Sequence, residues 1–192
     1  MADLMVDYII SLDGYGAAEG WPGYWGMESK EYLEWVGQDE GLDHTALMGA
    51  TTYRLMSGFA AEMGDDPGFA ALTALPKVVF SSTLEEPLTW ANTELVAGDA
   101  VEAVRQMKRT GSQPLRTIGS LTLARSLLSA GVVDRFRVVV FPVITGATGT
   151  DRIFDAYPDI ALELKESRTF EGGLQLLEYA PTILDGPPLS AS

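Results

Sequence analysis

"LRTIGSLTLARSLLSAGVVDRFRVVVF", residues 115–141, decides the fold. Residues 115 to 118 read as a short strand, Gly119 and Ser120 supply a corner, and Leu121 to about Ala130 places its leucines at amphipathic helical spacing. Gly131 stops that helix, and "RFRVVVFPVITG" then reads as a long buried strand. A strand, a helix and a second strand in this order require a crossover, so the two strands are expected to lie parallel.

The same unit recurs on the N-terminal side. Leu4 to Leu12 reads as a strand that stops at Asp13 and Gly14, and Glu28 to about Gln38 as a helix with Tyr32, Leu33 and Val36 on one face. "TALMG", 45–49, is a short strand followed by a helix whose expected N-cap is Thr51 or Thr52. "KVVFSSTL", 77–84, is another strand, and the helix of "GDAVEAVRQMKRTGS" takes Asp99 as N-cap and ends before Gly111. "IALELKESRTF" and "GLQLLEYA" alternate at period two around "EGG", which predicts an antiparallel hairpin. The fold class expected is therefore α/β, a mainly parallel central sheet flanked by helices with a C-terminal antiparallel hairpin. One domain over residues 1–181 suffices, followed by a flexible tail, 182–192, rich in Pro and small residues.

Two segments read as irregular. Residues 14–27, "GYGAAEGWPGYWGM", combine a glycine-rich backbone with Trp21, Tyr24 and Trp25, as suits a loop that walls a pocket for a flat ligand. "MGDDPG", 63–68, reads as a surface loop, and His44 beside Asp43 as a surface residue.

Composition narrows the partners. The 192 residues carry 13 Lys plus Arg against 27 Asp plus Glu, a formal net charge of -14, which repels nucleic acid and anionic lipid. The chain contains no Cys, so disulfides, thiolate metal sites and thiol nucleophiles are excluded, and no His or carboxylate cluster has metal-ligand spacing. No run is long and apolar enough for a membrane span, and the expected setting is the cytoplasm.

Ligands of open α/β sheets sit beyond the carboxyl ends of the strands. Three such ends share a composition: Gly49 with Thr51 and Thr52, Ser81 with Ser82, and Gly119 with Ser120 and Thr122. Glycine admits a phosphate to the backbone, hydroxyls donate to its oxygens, and helix N-termini favour the anion, so the three corners suggest a cradle for a phosphorylated cofactor. None of them is a complete Gly-rich nucleotide signature.

The ordered set "SLDGY", "LMGATTY", "KVVFSSTL" and "IGSLTLARSLLSAGVVDRFRVVVFPVITGATGTDRIF" resembles the dihydrofolate-reductase-like family, in the branch of the riboflavin-biosynthesis reductase C-terminal domain. The resemblance implies an NADPH-dependent reductase, NADH not being excluded, which transfers a hydride to a small heterocyclic or conjugated imine or carbonyl substrate as a homodimer. By position it implies that Gly49, Ala50, Thr51 and Thr52 meet the pyrophosphate, and that Ser81 and Ser82 lie near the adenosine ribose. Gly119, Ser120, Leu121 and Thr122 would line the pyrophosphate and nicotinamide. Asp13, at the end of the first strand, is the expected catalytic and substrate-binding carboxylate, with Trp21, Tyr24 and Trp25 stacking on the substrate. Two positions depart from the family pattern, Ala50 where Arg is usual and Leu121 where Gly is frequent. These leave a second reading open, a non-catalytic small-molecule-binding protein on the same fold with weakened cofactor binding. Arg54, Lys77 and Arg125 are nearby cations read as solvated surface residues.

Overall fold

The structure is a computed structural model that describes residues 1–21, 24–40 and 43–188, without the side chains of Tyr24 and Glu40. Ten strands occur among them: β1 Leu4–Ser11, β2 Tyr15–Ala18, β3 Thr45–Gly49, β4 Lys77–Phe80, β5 Thr93–Val96, β6 Leu115–Thr117, β7 Arg135–Phe141, β8 Gly149–Arg152, β9 Ile160–Thr169 and β10 Gln175–Ile183. Five α-helices accompany them: α1 Lys30–Glu40, α2 Ala50–Glu62, α3 Pro67–Ala74, α4 Ala100–Thr110 and α5 Leu121–Ser129.

Eight strands form one sheet in the order β5-β4-β3-β6-β1-β7-β10-β9, and β2 pairs with β8 separately. From β5 to β7 every pairing is parallel, while β10 runs antiparallel to both β7 and β9. The architecture read from residues 115–141 thus holds, with β6, α5 and β7 as the strand–helix–strand unit and β1 inserted between its strands. Residues 182 and 183, assigned to the tail, belong to β10, and Leu184 N–H donates to Asp159 O at 2.8 Å.

Strand alternation divides the core between the two sheet faces. Val6, Tyr8 and Ile10 pack with Val104 of α4 and with Leu123, Ala124, Leu127 and Leu128 of α5. The opposite face holds two further clusters. Tyr32 of α1 meets Val139, Phe141, Phe170 and Leu176, and Tyr53 of α2 meets Ala46, Met48, Val79 and Trp90.

Several local expectations are corrected. The glycine-rich segment 14–27 contains β2, which packs closely against β8 and its neighbours: a Cβ on Gly16 of β2 would lie 2.7 Å from Ile153 Cδ1, and one on Gly149 of β8 would lie 2.6 Å from the Tyr15 ring. The 63–68 segment leads straight into α3, whose first turn is capped by Asp66 accepting from Gly68 and Phe69 N–H. Helix α2 starts two or three residues earlier than expected, with Gly49 rather than Thr51 or Thr52 at the cap. On α1 the inward positions are Tyr32, Trp35, Val36 and Asp39, at i, i+3, i+4 and i+7, while Leu33 is exposed.

Lys77 and His44 are buried rather than solvated. Lys77 Nζ donates to the carbonyls of Leu72, Thr73 and Leu75 at 3.1, 2.9 and 2.7 Å and lies over the Trp90 ring. It closes the C-terminal end of α3, where unpaired carbonyls attract a cation. Arg125 is only half-buried and donates to Arg152 O at 2.9 Å. Arg54 is exposed.

Candidate functional site

Two adjoining cavities open at the carboxyl ends of the parallel strands. The first, about 490 Å³, lies between α1, α2 and the sheet; the second, about 560 Å³, lies between the starts of α2 and α5 and the end of β4. Both volumes fall within the ~300–1,000 Å³ typical of small-molecule sites. Thr51, Thr52, Ser120, Leu121 and Asp151 line both, so the two halves of the groove adjoin at these residues.

The narrow point of the groove is built by two strand ends. β3 passes into α2 at Gly49 with φ −94° and ψ 173°, and no side chain caps that helix in the usual way. Ser120, from the neighbouring tip, substitutes: its Oγ accepts Gly49 N–H at 2.8 Å and lies 2.8 Å from Thr52 Oγ1 and 3.1 Å from Ile118 O, either of which can take its proton. To reach that position Gly119 and Ser120 both adopt left-handed φ, 51° and 62°. Glycine does so at little cost, whereas serine carries backbone strain there. Helix α5 likewise has no side-chain cap, so the first-turn N–H groups of both helices lack a capping side chain. The tip of β4 differs, since no helix begins there. Ser81 Oγ instead accepts Thr83 and Leu84 N–H at 3.0 and 3.1 Å and fixes a hydroxyl turn.

All ten residues expected around the cofactor lie on the groove. Gly49, Ala50, Ser81, Ser82 and Thr122 line the second cavity, Gly119 the first, and Thr51, Thr52, Ser120 and Leu121 both. Leu121 lines both cavities. The donors suit an anionic dinucleotide, with two uncapped helix starts flanked by exposed hydroxyls of Thr51, Ser82 and Thr122. Among the described residues no Lys or Arg lines the second cavity, and Asp151 is its one charged side chain.

The substrate side is rearranged relative to the sequence reading. Trp21 lines the first cavity. Trp25 does not; its half-buried ring packs 5.4 Å from Phe141 and 5.8 Å from Trp21. The side chain of Tyr24 lies outside the described residues. Asp13 lines neither cavity, because its Oδ1 accepts Thr145 N–H at 3.1 Å in the turn after β1. Hydrogen bonding from Ser11 holds the carboxyl below its usual range, against some desolvation. Glu31 is likewise occupied elsewhere, accepting from Arg168 at 2.8 Å and from Glu171 N–H at 2.9 Å.

What stands on the wall of the first cavity is a buried ion network that sequence reasoning missed. Arg116 donates from Nη2 to Asp7 Oδ2 and from Nη1 to Asp39 Oδ2, the latter at 2.6 Å. Behind it Arg137 binds Asp7 through Nε at 3.1 Å and Nη2 at 2.8 Å, and Asp39 through Nη1 at 3.1 Å and Nη2 at 2.7 Å. The Trp35 ring covers Arg137, its centroid 4.9 Å from Cζ. Burial raises the Asp7 pKa, but the Arg116 and Arg137 charges outweigh it and bring the group to about 2. Asp39 is lowered in the same way, burial being overcome by its hydrogen bond from Arg137 and the charges of both arginines. Both carboxylates are therefore ionised at neutral pH and unfit to donate a proton. Asp7 and Arg116 line the cavity together with Tyr32, Trp35, Val36 and His44. The i, i+3, i+4, i+7 spacing of Tyr32, Trp35, Val36 and Asp39 was the available signal.

These features define a protein of the dihydrofolate-reductase fold with a groove across its strand ends. Residues 2–176 match the model of the RibD C-terminal domain, and the chain belongs to that family. The uncharacterized protein YyaP of Bacillus subtilis (strain 168) is 24% identical over 182 residues, 92% of this chain and 93% of that protein. A Shewanella sp. PV-4 protein assigned to riboflavin biosynthesis superposes with a TM-score of 0.70 at 20% identity, covering 95% of this chain and 99% of that one. The dihydrofolate reductase of Enterococcus faecalis, solved with NADP(H) and RAB-propyl, superposes with a TM-score of 0.60 at 13% identity, over 93% of this chain and 96% of that one.

Proposed function

We propose that the chain is an NAD(P)H-dependent reductase that transfers a hydride to a small conjugated imine or carbonyl substrate. The observation that carries this reading is that the two cavities adjoin: a hydroxyl-lined half at two helix starts shares Thr51, Thr52, Ser120, Leu121 and Asp151 with an apolar, aromatic half. The first half suits the phosphates and ribose of a dinucleotide, held by the starts of α2 and α5 with Thr51, Ser82 and Thr122. When bound, the dinucleotide supplies the hydride. Trp21, Trp35 and Ile118 orient a flat partner in the second half, and the surrounding apolar wall excludes water. A homodimer in the cytoplasm, with NADPH preferred, completes the proposal on the strength of the family membership.

One observation favours a second reading, a non-catalytic binder. The dinucleotide half has Ala50 in place of a cation and carries Asp151, so phosphate binding rests on backbone dipoles and neutral hydroxyls without a cationic side chain. Titration separates the two. NADPH added at micromolar concentration is expected to quench the intrinsic tryptophan fluorescence, and absence of binding by both NADPH and NADH would rule out the reductase. Ser120→Asp is the companion test. Aspartate is accepted at a helix start and in a left-handed conformation, so the variant should fold, while its charge faces the phosphates and should abolish cofactor binding.

A further inference from the structure

Resting on the reading of the first cavity as the substrate half, we infer that Arg116 is a substrate-binding residue that donates hydrogen bonds to a carbonyl-type oxygen of the substrate. A guanidinium carries five N–H donors. Arg116 gives one from Nη2 to Asp7 Oδ2 and one from Nη1 to Asp39 Oδ2, and no other described residue accepts from it. Nε–H and one N–H on each terminal nitrogen are left, on a side chain that is 17% exposed and lines the cavity. The donor is also held still. Both of its carboxylate partners are bound by Arg137 as well, and the Trp35 ring lies over that second guanidinium, so Arg137 serves as a positioning residue for Arg116. An arginine fixed in this way gives up little freedom when it takes an acceptor. The lining around it includes Trp35, Val36, Met56 and Ile118, apolar surface that suits a flat ring. A ring seated there strips water from the remaining N–H groups. An oxygen on the ring replaces that water, whereas a ligand without one leaves the donors unpaired and binds more weakly.

The experiment titrates two probes of the same shape, acetophenone and α-methylstyrene, calorimetrically into the full chain without cofactor. They differ in one group, a carbonyl oxygen against a methylene, and apolar burial alone would favour the hydrocarbon. Acetophenone is expected to bind the native chain about fivefold more tightly. The double variant Asp7→Asn, Arg116→Met removes one charge of each sign and leaves Arg137 balanced by Asp39. In that variant, checked for folding by circular dichroism, the preference should shift by about tenfold and turn to α-methylstyrene, whose own affinity stays within about twofold of native. Asp7→Asn alone keeps Arg116 and should keep the preference for the ketone. α-Methylstyrene binding the native chain as tightly as acetophenone, failure of both probes at millimolar concentration, or an unchanged preference in the folded double variant would each overturn the inference. The native comparison needs no variant, so it decides even where a variant does not fold. The NADPH titration reads the other half of the groove, so the role of Arg116 and the reductase reading fail separately.

Discussion

Replacing Asp7 by Asn tests whether the ion network is as well insulated from water as its geometry implies. Asp7 accepts from Arg116 and twice from Arg137, and the three side chains are 15%, 17% and 5% exposed. Its carboxyl is lowered from 3.8 to about 2. That difference corresponds to about 2 kcal/mol favouring the ionised form in the folded chain. Asparagine also leaves Asp39 alone to balance two arginines, and an uncompensated buried charge is costly, so the total loss is set at about 3 kcal/mol. For a chain of this length that lowers Tm by about 6–12 °C. Urea unfolding followed by tryptophan fluorescence measures it. The pH dependence has a definite sign. Because the folded pKa lies below the unfolded one, the stability contributed by Asp7 is complete above about 3.8 and drains away as the pH falls toward about 2. The gap between native and variant should therefore be flat at neutral pH and close in that acid window. Adding Arg116→Met to Asp7→Asn removes the odd charge and should recover more than half of the loss. A loss below about 1 kcal/mol, the size of an exposed pair, would refute the insulated network.

Two other outcomes follow from local geometry. Ala50→Arg puts a cation at the first position of α2, on the second cavity, and should tighten NADPH binding about five- to tenfold at low salt, with the gain shrinking as salt is added. Calorimetric titration at two ionic strengths checks both parts. Gly149→Ala forces a methyl to within 2.6 Å of the Tyr15 ring and 2.9 Å of Thr145 Oγ1. It should cost about 1–3 kcal/mol in urea unfolding by overpacking the β2–β8 pair.

Local signals carried the parallel sheet. Residues 115–141 hold a short strand-like segment, a glycine corner, a helical repeat, Gly131 and the apolar run of the next strand, each interpretable within a few residues of itself. The three polar strand ends were legible for the same reason, and they meet at the groove. What sequence could not display was partnership across long separations. Asp7 and Arg137 are 130 residues apart, and nothing near Arg116 or Asp39 marks either as half of a pair. Lys77 looked like any cation beginning a strand, and only the placement of α3 brings three carbonyls to its ammonium. The glycines of 14–27 were misleading in a different way. Glycine signals freedom in a turn and tight contact in a strand pair, and the β8 residues that settle the matter lie far downstream. Asp13 belongs to a turn-forming Asp-Gly, and its tie to Thr145 N–H, 132 residues on, was equally invisible in the sequence.

The Ser120 hydroxyl reaches from one sheet tip to the next, receiving Gly49 N–H while lying against Thr52. A single oxygen thus works as a clasp, and the gauge of the passage is fixed when the chain folds. A molecule entering there meets two strand ends already tied together, which lowers the ordering cost of binding.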